Sequence, residues 1–243
     1  MSRVVLITGA ASGLGLSLTE RFLALGDTVY GITKSKRNWR RAQKKLGRPE
    51  KFRLMQADLS VESAAKKALA RLHKRAGRID VLINSAGYAN RPTPLEKESL
   101  RELEQNLSDN LISVFLVLKY ALPFFKKQKS GWILNIASMA GKRAVPGLAA
   151  YSASKFGVLA LSQAIAKENP DGGFRCLTVC PGGMNTSMRV KLFGAEDAKR
   201  QQSTDFVADK ILEIVRGEIS VPHGGDIVIR HGKITAINEA PEA

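Results

Sequence analysis

Seven short runs rich in Val, Ile and Leu recur along the chain with amphipathic segments between them, and this alternation constrains the fold more than any single residue does. The runs are RVVLIT at 3–8, TVYGIT at 28–33, FRLMQA at 52–57, IDVLIN at 79–84, WILNIAS at 132–138, FRCLTVC at 174–180 and DIVIR at 226–230. Nearly continuous apolar runs suit strands buried on both faces, and their alternation with helices predicts right-handed crossovers between parallel strands. The expected fold class is α/β: a doubly wound seven-stranded parallel sheet with helices on both faces. A ligand is then expected across the carboxyl ends of the strands, where the strand order reverses.

At 243 residues the chain has the size of one such unit, 1–243, and carries no repeat or linker that would divide it. The one long stretch without a clear period, 183–203, reads as a lid over the site. No uninterrupted apolar run reaches the ~18 residues of a membrane span, and MSRVVLITGA enters a strand without a signal-peptide layout. The expectation is a cytoplasmic protein with no membrane partner. Cys176 and Cys180 share one face of a strand, too far apart along it to bridge, and read as core thiols of a reducing compartment. His73, His223 and His231 have no ligand spacing with cysteines or carboxylates, so no metal is expected.

The charge is unusual: 38 Lys and Arg against 22 Asp and Glu, a formal +16. The run at 34–53 holds ten basic residues and one acid. A nucleic-acid surface, a solvated face and a funnel for an anionic cofactor, substrate or acidic carrier protein are all compatible with it.

After the first strand, TGAASGLG places Gly9, Gly13 and Gly15 at the entrance to an apolar-periodic helix. A tight turn, close backbone approach and the positive end of a helix are what a pyrophosphate needs, so the position suggests a dinucleotide site. Tyr151 and Lys155 in YSASK lie four apart on one helix face, a spacing that alone does not separate chemistry from coincidence.

TGAASGLG, NSAG at 84–87, Ser138, YSASK and PGGMNT at 181–186 stand together in the order and spacing of the short-chain dehydrogenase/reductase family, which the chain resembles from residue 3 to about 216. The resemblance, which extends to 3-oxoacyl-carrier-protein-reductase-like members, implies a Rossmann-type fold and reversible hydride transfer between a nicotinamide and a carbonyl or secondary alcohol. It implies Tyr151 as general acid/base, Lys155 lowering the Tyr151 pKa and binding the ribose, Ser138 polarising the substrate oxygen, and Asn110 holding a water for proton relay. The implied cofactor contacts begin with Gly9, Ser12, Gly13, Leu14 and Gly15. They continue with Thr33 and Lys34, Asp58 and Leu59, and Asn84, Ala86 and Gly87. Tyr151 and Lys155 follow, then Pro181, Gly182, Met184 and Thr186.

The alignment puts Thr33 and Lys34, with Lys36 and Arg37 close behind, where an acidic residue would select NAD(H); NADP(H) is therefore expected. Ser138, Met139, Ala140, Val145, Tyr151, Tyr88 and the lid are expected around the substrate, with Lys142 and Arg143 either pairing an anionic group or standing as exposed cations. The C-terminus, IVIRHGKITAINEAPEA, departs from the family's usual V-D-G-G ending and weakens any transfer of substrate from fatty-acid reductases. The family implies a homotetramer or homodimer packed through helices at about 97–129 and 151–168. The rival reading is a regulatory or nucleic-acid-binding protein on a retained dinucleotide fold, which would not require Ser138, Tyr151, Lys155 and Asn110 to stand together.

Overall fold

Each of the seven apolar runs forms a strand in the computed structural model, which describes residues 2–47 and 49–241. The strands are β1 (Val4–Thr8), β2 (Thr28–Thr33), β3 (Phe52–Gln56), β4 (Val81–Asn84), β5 (Trp132–Ile136), β6 (Arg175–Pro181) and β7 (Asp226–Arg230). An eighth, β8 (Lys233–Asn238), follows at once. The sheet order is β3-β2-β1-β4-β5-β6-β7-β8, with every pair parallel except β7 and β8. The expected purely parallel sheet of seven is thus extended by one antiparallel edge strand. Residues His231 and Gly232 make the turn, both at positive φ (53° and 68°), the backbone of a tight two-residue hairpin.

Because side chains alternate along a strand, the sheet serves two cores. Val5, Ile7, Val81, Ile83, Leu134, Leu177 and Ile227 face helices α1 (Gly13–Ala24) and α9 (Thr204–Val215), which contribute Leu14, Leu18, Phe22, Ile211 and Ile214. Leu6, Leu82, Ile133, Cys176 and Cys180 face α3 (Glu62–Ala76), α5 (Ser113–Gln128) and α6 (Ala149–Glu168). Both cysteines are buried free thiols on that second face, and burial pushes each up to about 12.

The basic α2 (Lys36–Leu46) lies outside β2 and β3 with only Ala42 buried. Helix α4 (Leu100–Leu107), a single π-helical turn (Ser108–Ile112) and α5 run on as one helix, Leu100–Gln128, long and apolar enough by composition to cross a membrane. Its inward face, Val114, Val117, Leu118, Ala121 and Phe125, is packed in the second core. The stretch read as a lid for want of a clear period, 183–203, contains α7 (Ser187–Phe193) and α8 (Ala195–Lys199). The strand order reverses between β1 and β4, so the loops after these parallel strands part and leave a crevice.

Candidate active site

A cleft of about 310 Å³ opens at the carboxyl ends of six successive strands, and its walls are the residues that immediately follow them. Gly9, Ser12, Gly13 and Leu14 come from the turn into α1, Thr33 and Lys34 from the end of β2, and Asp58 and Leu59 from the end of β3. Ala86 and Gly87 follow β4, Tyr151 and Lys155 rise from α6, and Met184 and Thr186 follow β6. The structure therefore gathers fourteen of the sequence-predicted residues on one cleft.

The glycine turn is built as a close-approach surface. Gly9 holds φ +69°, and a Cβ there would stand 2.9 Å from the backbone of Ala86. Gly13 holds φ +51° and opens α1, whose amides point their positive end into the cleft. Ser12 caps that helix without spending its side chain on a cap hydrogen bond. The opposite wall is Thr186, whose Cγ2 lies 3.5 Å from where a Gly13 side chain would begin. An elongated group with a central anionic part fits this cradle: glycines line the middle, and polar side chains stand at both ends.

Six expected site residues lie behind the wall rather than in it. Gly15 packs α1 onto the turn, where a Cβ would run into the Gly9 carbonyl. Asn84 is buried and donates to Asn135 Oδ1 at 2.8 Å, so its contact is with the sheet rather than the cleft. Pro181 belongs to β6, and Gly182 donates to the Ile229 carbonyl at 2.8 Å where a Cβ would meet Arg230. Ser138 follows the wall residue Ala137 and accepts from the Ala140 amide at 3.1 Å. Asn110 is 0% exposed, on the π-helical turn. Its Oδ1 accepts from the Tyr88 amide at 2.8 Å, while its Nδ2 donates to the Tyr88 carbonyl at 2.9 Å and to Ser154 Oγ at 3.0 Å.

Electrostatically, Tyr151 and Lys155 form the dry end of the cleft. Lys155 is 4% exposed, donates to the Ile136 carbonyl at 2.9 Å, and places Nζ 5.8 Å from the centroid of the Tyr151 ring. Burial lowers the Lys155 amine to about 8. Burial pushes the Tyr151 phenol above its ordinary value of 10, and the Ser138 hydroxyl beside it offsets part of that rise. The lowered phenol that the resemblance implied is absent from this arrangement: desolvation outweighs the neighbours, and Tyr151 is held protonated.

Several features were missed in the sequence. Ser154 donates to the Tyr151 carbonyl at 2.7 Å and accepts from Asn110, tying the π-helical turn to the start of α6. Asn106, one helical turn before Asn110, donates to Asn90 Oδ1 at 2.9 Å. The Asn106 and Asn110 spacing of four was the available signal. Asp109 lines the cleft and pairs with Lys34. Ala140 is buried rather than open to a substrate, and Lys142 is not an available cation, since Nζ sits 2.6 Å from Asp226 Oδ1. Arg143 is exposed. Among the described residues, no group of three or more His, Cys, Asp or Glu could hold a metal ion.

Known proteins resemble this chain in sequence and fold. Residues 3–197 match the short chain dehydrogenase family. The chain is 32% identical to 2-(R)-hydroxypropyl-CoM dehydrogenase from Xanthobacter autotrophicus, over 98% of its own length and 100% of that protein. It is 35% identical to a 3-oxoacyl-[acyl-carrier-protein] reductase from Thermotoga maritima, over 78% of this chain and 77% of the other. The crystal structure of levodione reductase superposes with a TM-score of 0.86 at 28% identity, covering 95% of this chain and 96% of that one. The chain belongs to the short-chain dehydrogenase family, and it is an NAD(P)-dependent oxidoreductase.

Proposed function

We propose that this member of the short-chain dehydrogenase family reduces a ketone with NADPH, using Tyr151 as the proton donor. The observation that supports the reading is the half-buried Tyr151 ring in the cleft wall, with the Ser138 hydroxyl beside its phenol and Lys155 Nζ 5.8 Å from its centroid. The nicotinamide, when bound, supplies the hydride to the carbonyl carbon. Tyr151 gives its proton to the oxygen as negative charge develops there, and Ser138 donates a hydrogen bond to that oxygen. Lys155 spends one of its three donors on Ile136, leaving two for the ribose hydroxyls and a charge that stabilises the Tyr151 phenolate left behind. Asn110 holds the Tyr88 loop in place, and the second lone pair of its Oδ1 is available to a relay water.

The preference for NADP(H) rests on the end of β2. Thr33 and Lys34 line the cleft, Lys36 and Arg37 open α2, and no carboxylate stands at Thr33 to take a 2′-hydroxyl. The 183–203 segment serves as the lid, and the chain functions as one unit over residues 1–243. The substrate is a small ketone or secondary alcohol, anionic or borne on an acidic carrier. The exposed Ile112, Phe115 and Phe156 favour a homodimer or homotetramer through α5 and α6. Tyr151 and Lys155 in the cleft wall, with Ser138 and Asn110 packed directly behind it, favour a catalytic reading over a nucleic-acid role.

The test is a panel of carbonyl substrates assayed with NADPH and NADH on wild type and Tyr151→Phe. Loss of turnover by about 10²-fold or more, with NADPH binding retained, is expected. Turnover that survives in Tyr151→Phe removes the assigned proton donor.

A further inference from the structure

Lys34 lines the cleft directly after Thr33 at the end of β2, yet it is already engaged. Its Nζ lies 2.9 Å from Asp58 Oδ2 and 3.1 Å from Asp109 Oδ1, and all three side chains line the cleft. One ammonium is shared between two carboxylates, so the cluster carries an excess negative charge at the mouth that a phosphate must enter. Burial works against the Lys34 charge, but hydrogen bonds and charge from Asp58 and Asp109 outweigh it and hold the amine above its ordinary range.

The two acids differ in how they are held. Asp58 is anchored locally, accepting from the Ser60 amide at 3.1 Å and the Ser60 hydroxyl at 2.6 Å. Asp109 stands across the cleft on the π-helical turn, next to Asn110, with its other oxygen taken by Gln105 Nε2 at 2.5 Å. Nothing in the proposed reaction uses Asp109. Lys34 is 53% exposed on an unbranched stem, so its pairing with the 19% exposed Asp109 is a weak, exchangeable contact. A phosphate of roughly −1.5 to −2 charge is a stronger partner than one carboxylate.

We propose that Asp109 is a specificity-determining residue: it competes with the 2′-phosphate of NADP(H) for Lys34 and so limits how strongly the cleft prefers NADP(H) to NAD(H). Removing the acid frees Lys34 for the phosphate, whereas a dinucleotide with a bare 2′-hydroxyl gains little. The inference rests on the reading that this cleft holds a nicotinamide dinucleotide.

The test is direct titration of NADPH and NADH, followed by the fluorescence of the reduced nicotinamide, at one fixed moderate ionic strength, since salt screens such contacts. Wild type, Asp109→Asn, Lys34→Met and the double variant are compared, with Glu62→Gln as a remote control whose carboxylate pairs with Lys119. Asp109→Asn is expected to lower the Kd for NADPH by about 5- to 10-fold and to change that for NADH by less than about twofold. Lys34→Met is expected to weaken NADPH and to abolish the gain from Asp109→Asn, which is the coupling a shared partner requires. An unchanged NADPH to NADH ratio in Asp109→Asn overturns the proposal. So does a gain that persists without Lys34, since that would be plain repulsion rather than competition. If wild type binds neither nucleotide, the functional reading itself falls, a result distinct from either of these.

Discussion

Asn110 brackets the backbone of Tyr88, accepting from its amide at 2.8 Å and donating to its carbonyl at 2.9 Å. One fully buried side chain thereby satisfies both polar groups of a loop residue that no strand or helix pairs. The π-helical turn at Ser108–Ile112 is what carries Asn110 to this point, a use in keeping with such turns at functional sites. Asn110→Ala is expected to lose turnover and also about 1–3 kcal/mol of stability, because two part-buried backbone groups lose their partner. Urea unfolding beside steady-state assays separates the effects. Unchanged stability would show that water or another group takes over the Tyr88 backbone.

A second expectation concerns Lys155, where function and stability oppose one another. Burial lowers its amine from 10.5 to about 8, so the native state holds this proton less tightly than the unfolded chain. The penalty is full below pH 8 and fades as pH rises toward 10.5, where the amine is neutral in both states. A shift of this size corresponds to about 3 kcal/mol, offset by about 1 kcal/mol for the hydrogen bond to Ile136. Lys155→Met, unfolded by urea without added cofactor, is therefore expected to be about 2 kcal/mol more stable than wild type at pH 7 while losing turnover. Its advantage should shrink between pH 8 and pH 10. A variant less stable than wild type at pH 7, or an advantage that grows with pH, contradicts the assigned burial.

How much of this was legible in the chain depends on which physical signal each residue leaves. Strands such as VVLIT and VLIN are buried on both faces, so their composition announces them. KITAIN, which forms β8, alternates between exposed and partly buried positions as an edge strand does, and a search for continuous apolar runs passes over it. The hairpin turn hid as well, because His231 takes the positive φ more often held by Asn or Asp.

Within the site, Gly9 was readable because the Ala86 backbone comes too close for a Cβ, and Gly13 because its φ of +51° favours glycine. Ser154, Asp109 and Asp226 were not. Their partners Asn110, Lys34 and Lys142 lie 44, 75 and 84 residues away, so the pairings exist only once the fold is made. Asn84 was placed at the right strand end, but whether its side chain faces the cleft or the sheet is decided by strand register, which the sequence alone leaves open.

For the glycine turn, Gly9→Ala is expected to cost about 2 kcal/mol or more. The added methyl meets backbone atoms of Ala86 at 2.9 Å, and φ of +69° disfavours any L side chain. Backbone cannot rotate aside as a side chain can, so the β1 and β4 loops must separate and the cradle widens. Calorimetry should show a lowered Tm together with weaker dinucleotide binding. By contrast Gly47→Ala, also at positive φ but with nothing within 4 Å, should cost about 1 kcal/mol and leave binding unchanged. Equal losses at the two positions would mean that strain, not the close approach, sets the demand at Gly9.

The last expectation concerns the ion pair that replaces an anion-binding role for Lys142. Asp226 is 4% exposed, accepts from Lys142 at 2.6 Å and from Asn238 Nδ2 at 2.9 Å, and so links β8 to the turn after Ser138. Removing only the cation leaves a nearly buried carboxylate with a neutral partner, and Lys142→Ala is expected to cost about 2–4 kcal/mol. Replacing both members, Lys142→Met with Asp226→Leu, removes the uncompensated charge and should recover most of that loss, because neither ion then has to be desolvated. A double-mutant cycle in urea unfolding reads the coupling. If the Ser138 turn depends on this tether for its position, the stable double variant should still show reduced kcat with little change in cofactor affinity. A double variant as unstable as Lys142→Ala would mean that the site needs the polar bridge itself rather than mere charge balance.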